Sequence, residues 1–443
     1  MTDTTLDIEN VASNSAGFLN AAGGDEDPLP RDGNLEIEYK EESGSFGIFP
    51  NGEIFPAFRA WSAKLIKRQR DVFRFADECR AKWTENTVEL EEDGSHPFQL
   101  TLDFTDRPDF IRRVCGQLAV AGERLFFNIF ERDSDARLRD ITEQLRIKSI
   151  EKELVLTITS KDFFIPWGMI YTHPHAEVEL KTDGSNFEWE GFWGFRHIIE
   201  QNPEWVGRHN MLERNEEHLI CASMNLDENI DANLGIRSVA NQKQFFAQLV
   251  EDRVLHYQER SVKPQLGEAL EADDFSDRIL YFYCHGSAGD VDNRVAQIML
   301  TDGEPINDTD FAFWLREHLE LKTHPLIFIN ACKGGQMTTM FFKTFATELL
   351  KKRARGLIGA QIDVPAEFGE VYAKRLFSEF LKSSQPPHVK IRLGPLMRDL
   401  ARKFINEYQN PLGLIYSLYR GLDVYVDRRP PVRDFAENSD YTH

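Results

Sequence analysis

Two side chains in this sequence have the type and setting for nucleophilic chemistry. His285 lies in Tyr281-Phe282-Tyr283-Cys284-His285-Gly286, and Cys332 lies in Ile329-Asn330-Ala331-Cys332-Lys333-Gly334-Gly335. They are about fifty residues apart. Each closes an apolar run. A free thiol is mostly protonated near neutrality, so it needs an imidazole or a helix N-terminus beside it to gain thiolate character. The imidazole can then hand the proton to a leaving amine. Backbone amides of Gly286 and Cys332 are the natural oxyanion-hole donors, because glycine lets the backbone come close to a scissile carbonyl. Taken singly, Cys332 reads equally well as a buried core thiol and His285 as a satisfied core histidine. The combination at two strand ends favours a Cys/His dyad. Cys284 alternates to the other side of its strand and reads as core.

The elements that must position this pair follow from the patterning. Strands are predicted at 218–225, 253–259, 278–286, 324–335, 355–365 and 422–426, and helices at 241–252, 262–272, 308–319, 337–352, 366–382 and 394–408. Residues 296–306 predict a hairpin turning at Asp302-Gly303, and Asp308 is the expected N-cap of the helix after it. Further upstream, a helix is predicted over about 56–83, strands at 124–130 and 153–159, and a helix at 135–146. Strands alternating with helices imply an α/β doubly wound sheet with parallel pairing and helices on both faces. Ligands bind such sheets at the carboxyl ends of the strands. A right-handed crossover between neighbouring strands 278–286 and 324–335 would therefore bring His285 and Cys332 to one rim.

Composition bounds the rest. The chain has 443 residues, with 41% hydrophobic and 28% charged, enough apolar material for a core of two or three domains. Lys and Arg number 52 against 73 Asp and Glu, a formal net charge of −21. That balance argues against direct nucleic-acid binding and against an anionic membrane as partner. No apolar run is long enough to span a bilayer, and the N-terminus has no secretory pattern. Five cysteines at 79, 115, 221, 284 and 332 form neither a disulfide framework nor a CxxC pair. The expectation is a cytoplasmic protein with free thiols. The organisation reads as a leader (1–33), an N-terminal extension (34–94), a first α/β half (95–212), a second α/β half carrying the dyad (213–430) and a tail (431–443).

The motifs FYCHG, NACKGG and RARGLIGAQIDVPAEFGEVYAKRLFSEFL, in that order, resemble the CHAT family of caspase-like cysteine peptidases, which is related to separase. LVLTITSKDFFIPWGMIY resembles a segment of that family's inactive N-terminal half, and NPLGLIYSLYRGLDVYV resembles its closing segment. The resemblance is close over about 278–382 and absent over 1–90. It implies a pseudo-peptidase half followed by an active half, and regulated cleavage of a specific protein partner, in bacterial anti-phage defence or cell death. It also implies that the segment after the Cys strand lines the pocket for the residue before the cut. Asp363 and Glu367 lie there, and Asp290 and Asp292 follow the His. A carboxylate in that pocket would select Arg or Lys, whereas each acid alone reads slightly better as a solvated loop charge. Lys333 departs from the small or acidic residue expected after the Cys, and the sequence carries no tetratricopeptide array. An activating partner or small-molecule trigger acting on 1–94 or the cleft between halves fits a regulated protease. A catalytically inactive scaffold is the alternative. A Cys/His mechanism requires no metal or organic cofactor.

Other features have plainer readings. His173 and His175 have no third metal ligand near them in sequence and read as structural. Phe187, Trp189, Phe192, Trp193 and Phe195 read as a seam between subdomains. Lys351, Lys352, Arg353 and Arg355 read as a basic helix end. The KGGQ stretch lacks the ending of a phosphate loop. Arg31 and Arg59 are available for self-cleavage of the leader.

Overall fold

The computed structural model describes residues 28–55, 62–175, 178–203, 210–287, 297–317, 320–332, 344–345, 347–382 and 389–426. Most of the strands join one mixed sheet. Its first block contains β1 (Gly33–Lys40), β2 (Ser45–Asn51), β3 (Ala63–Leu65), β4 (Val155–Thr159) and β5 (Ile198–Asn202). A short strand β6 (Met211–Leu212) pairs elsewhere, with β15 (Tyr425–Val426). The second block contains β7 (Ile220–Leu226), β8 (Leu255–Arg260), β9 (Ile279–Ser287), the hairpin β10 (Gln297–Met299) and β11 (Pro305–Ile306), β12 (Leu326–Cys332), β13 (Gly356–Ala360) and β14 (Tyr416–Tyr419). The order along the sheet is β11-β10-β9-β12-β13-β14-β5-β4-β1-β2-β3, and β7 lies against β9 with β8 outside it.

The direction of pairing decides where chemistry can sit. β8, β7, β9, β12 and β13 run parallel, as expected. β14 then pairs antiparallel with β13 but parallel with β5, and β5, β4 and β1 continue parallel. The parallel strands β8, β7, β9, β12 and β13 therefore run opposite to β14, β5, β4 and β1, and the carboxyl ends of the two sets open on opposite rims. The β1–β2–β3 meander extends the first block, so Gly33–Lys40, Ser45–Asn51 and Ala63–Leu65 are built into the sheet.

The central strands are apolar because both their faces are covered. Alternate residues feed two cores. Tyr281, Tyr283 and Phe328 join the larger core, with Phe377 of the helix Ala366–Lys382 and Phe246 of the helix Ser238–Glu251. Leu280, Phe282, Cys284, Ile327 and Ile329 join the other, with Leu266, Phe311 and Leu349 from the helices Lys263–Glu271, Asp308–Trp314 and Thr347–Lys351. Cys284 is fully buried in that second core.

Three local expectations are corrected. The predicted strand at 124–130 is the end of the helix Pro108–Phe126 and a wide turn Phe127–Glu131. Leu125, Phe126, Ile129 and Phe130 are buried at helical spacing while Phe127 is exposed, a pattern that a short apolar run does not reveal. The helix predicted over 56–83 is the strand β3 followed by a helix only from Gln69 to Asn86. Val72 and Phe75 of its expected stripe are buried in that helix, and Phe58 and Trp61 lie outside the described residues. The N-cap of the helix Asp308–Trp314 is Asn307, not Asp308. Asn307 accepts from the Asp310 amide at 3.0 Å, and Asp310 accepts from the Asn307 amide at 2.9 Å.

The aromatic run is a packing seam. Trp193 stacks on Trp167, and Phe192 meets Trp83 of the helix Gln69–Asn86 edge-on. Among the described residues no helix is long and apolar enough to cross a membrane.

Candidate active site

His285 and Cys332 come together through strand register. β9 and β12 pair in parallel over seven residues, from Leu326 with Ile279 to Cys332 with His285. The two functional positions are thus direct register partners at the carboxyl ends of adjacent strands, on the rim where open α/β sheets bind ligands. Gly286 is the next residue of β9 and pairs with Ile298 of the hairpin.

The site has a third member that the sequence reading missed. Asp227 immediately follows β7, the other parallel neighbour of β9. Its Oδ2 makes a short hydrogen bond with Nδ1 of His285. Asp227 is 4% exposed, while the His285 side chain is 22% exposed. The carboxylate is therefore buried and the imidazole reaches solvent. The backbone holds the acid in place: the Asp227 amide donates to the Tyr283 carbonyl at 3.0 Å, and Asp227 Oδ1 accepts from the Asn229 amide at 2.9 Å. Thr301, beyond the first hairpin strand, donates to the Leu226 carbonyl at 3.2 Å and accepts from the Glu228 amide at 2.9 Å. A carboxylate on Nδ1 fixes the tautomer and leaves Nε2 as the reactive nitrogen. The only sequence signal was an apolar strand ending in Asp, and nothing in the sequence said that β7 flanks β9.

Below the rim, a buried polar network fixes the strand ends. The Asn330 side chain donates to Tyr281 Oη at 3.1 Å and to the Gly369 carbonyl at 2.9 Å, and it accepts from Tyr416 Oη at 2.8 Å. Tyr283 Oη donates to the Ala366 carbonyl at 2.8 Å. That bond ties the His285 strand to the start of the helix Ala366–Lys382. An added Cβ at Gly369 would come within 2.9 Å of Asn330 Oδ1 and 3.0 Å of Val364 Cγ1, so the helix approaches β12 at a distance only glycine permits.

The acidic positions fare differently. Asp363 is half-buried in the segment between β13 and that helix, flanked by buried Ile362 and Val364. Glu367 is exposed in the first turn of the helix, where an acid complements the dipole. Asp290 and Asp292 lie outside the described residues, as does Lys333. His173 accepts from the His175 amide through Nδ1 at 3.0 Å, and its Nε2 bonds the Asn186 carbonyl at 2.9 Å, so both nitrogens serve the loop. Among the described residues no group of three or more His, Cys, Asp or Glu could hold a metal ion.

No protein-family model matches the sequence, and no curated protein sequence matches it. Solved structures do resemble it at low identity. A Saccharomyces cerevisiae separase–securin complex aligns at 10% identity over 89% of this chain, with a TM-score of 0.45. The chain spans 30% of the length of that relative. The Arg-specific cysteine proteinase gingipain R aligns at 13% identity over 73% of this chain and 76% of its own, with a TM-score of 0.41. The Drosophila initiator caspase Dronc aligns at 10% identity over 51% of this chain and 89% of its own, with a TM-score of 0.31. At these scores the likenesses carry no argument about activity, which has to be read from the site itself.

Proposed function

We propose that this chain is a cysteine endopeptidase of the caspase-like, CHAT-resembling kind, with Cys332 as nucleophile, His285 as general base and acid, and Asp227 as the residue that orients His285. The observation that carries this reading is the register pairing of Cys332 with His285 on a rim where a buried carboxylate holds Nδ1. In the proposed reaction, His285 takes the thiol proton as sulfur attacks the scissile carbonyl. The tetrahedral oxyanion is held by backbone amides of Gly286 and Cys332. The C–N bond breaks, and the proton passes from His285 to the leaving amine. Water, deprotonated by the same imidazole, then hydrolyses the thioester, releasing the new carboxyl end and the free thiol.

In this reading Asp363 is the best-supported pocket acid, because it is half-buried beside the rim, and it would select Arg or Lys before the cut. Glu367, exposed at a helix start, serves the helix. The substrate is a specific protein partner, and an activator acting through a protein or small molecule fits a regulated enzyme. A role in bacterial defence or cell death in the cytoplasm follows from the family resemblance alone.

The test is a fluorogenic peptide set varied at the residue before the cut. Cys332→Ala and His285→Ala should each abolish cleavage while circular dichroism stays that of the wild type. Cleavage retained in either variant sinks the assignment, and a wild type that neither cleaves nor labels at Cys332 with a thiol probe points to a scaffold.

A further inference from the structure

The helix Gln69–Asn86 belongs to the N-terminal extension, yet one of its side chains reaches the segment that carries Asp363. Arg80 is 4% exposed. Its Nε and Nη2 both donate to Oε1 of Gln361, at 3.0 and 2.8 Å, and its Nη1 donates to Asp77 at 2.9 Å. Gln361 is the first residue after β13 and lies two residues before Asp363. Its Nε2 donates to Tyr419 Oη at 2.8 Å, which sets the orientation of the amide, and its backbone amide donates to the Ile415 carbonyl at 2.8 Å.

We infer that Arg80 is a positioning residue for the segment 361–365, and so for the residue preference of the proposed substrate pocket; the inference rests on the peptidase reading above. Burying a guanidinium this deep is costly even with the more exposed Asp77 as its ion partner, because a buried charge loses its hydration. A surface helix needs no such contact to pack. The segment is anchored at both ends. At one end Arg80 holds Gln361, and at the other Tyr283, two residues before His285 on β9, holds the Ala366 carbonyl. Buried Ile362 and Val364 fix the pleat between the anchors, with Asp363 half-buried between them. Without Arg80, the buried Oε1 of Gln361 loses both of its donors, and the anchor nearer to Asp363 is reduced to the bonds with Tyr419 and Ile415. The extension thereby acts on specificity from a helix more than two hundred residues upstream in sequence. Neither Arg80 nor Gln361 belongs to the β9–β12 register that pairs His285 with Cys332, whereas the second anchor, Tyr283, does.

The experiment compares wild type, Arg80→Ala and Arg80→Lys on the same peptide set, and follows alkylation of Cys332 by iodoacetamide. The expected result for Arg80→Ala is a rise in KM for the preferred residue of roughly ten- to a hundredfold. Preference over other residues should flatten, kcat should change far less, and the alkylation rate should not change. Arg80→Lys, which keeps the charge but gives up the fork, should recover part of the preference. An unchanged preference profile in Arg80→Ala overturns the inference, and so does a parallel fall in KM selectivity, kcat and alkylation, which marks a merely structural role. If Arg80→Ala does not fold, Arg80→Lys carries the test, and a wild-type profile in it overturns the inference. A wild type without Cys332-dependent cleavage overturns the peptidase reading itself, and this inference with it.

Discussion

Asp227 changes what His285 can do. An imidazole held only by packing divides between tautomers, and one with a carboxylate on Nδ1 presents Nε2. In the proposed reaction the carboxylate would also stabilise the imidazolium formed when the thiol gives up its proton. Both Asp227 oxygens are engaged, Oδ2 by His285 and Oδ1 by the Asn229 amide, so the acid has little freedom to turn away. Asp227→Asn keeps the shape and removes the charge. It is expected to lower kcat on the order of 10²- to 10⁴-fold with a smaller change in KM. Steady-state kinetics on the best peptide reads this directly, and a kcat within a few-fold of wild type would remove Asp227 from the mechanism.

At the scale of elements, the first block is pinned by its own buried histidine. His197 directly precedes β5, and its Nδ1 accepts from the amide of Leu154, the residue just before β4, at 3.1 Å. Burial pushes this imidazole from 6.5 down to about 3, helped by the nearby Arg196, Arg402 and Arg398. Between those values the unfolded chain takes up a proton that the folded chain refuses. Stability from this group is therefore intact above pH 6.5 and is lost as pH falls toward 3. The expected slope is about 1.4 kcal/mol per pH unit at most. His197→Asn offers an amide oxygen to Leu154 without a titrating ring. Urea melts between pH 7.5 and 4.5 should show a shallower acid loss in that variant than in wild type. Equal slopes would mean that His197 is not held neutral.

Across the whole molecule, one ion cluster joins three sequence regions. Arg31 Nη2 meets Glu200 of β5 at 3.1 Å and Asp423, beyond β14, at 2.7 Å. The two carboxylate side chains are 0% and 1% exposed. Asp423 also accepts from the Leu29 amide at 2.8 Å, and Glu200 accepts from the Leu422 amide at 3.1 Å. Arg31 is therefore an anchor whose guanidinium is committed to the seam between the blocks, an unfavourable place for a protease to cut. Arg59 lies outside the described residues. Arg31→Ala takes a cation away from two buried carboxylates. Arg392 lies 3.7 Å from Asp423 and remains in that variant. The expected destabilisation is roughly 3–5 kcal/mol, partly recovered by adding Glu200→Gln. Thermal melts of the single and double variants measure it, and a double variant no more stable than the single would show that charge burial is not the cause.

Much of the half around His285 and Cys332 was legible in the sequence because its signals are local. Runs such as Leu326–Asn330 are apolar throughout, which marks strands covered on both faces. Helices such as Ala366–Lys382 carry their own periodicity, and the residues closing two strands are chemically distinctive. Sequence alone therefore determined the α/β class, the parallel core around His285 and Cys332, and the rim on which both would lie. Only the tertiary structure decided which strand flanks β9 on its other side, and so that Asp227 completes the site. It alone decided that the sheet reverses direction at β13–β14, and that an arginine from the extension ends against Gln361. These are pairings between residues tens to hundreds of positions apart. Their free energy comes from burial and hydrogen bonds that exist only after the chain has closed on itself, so no local pattern encodes them.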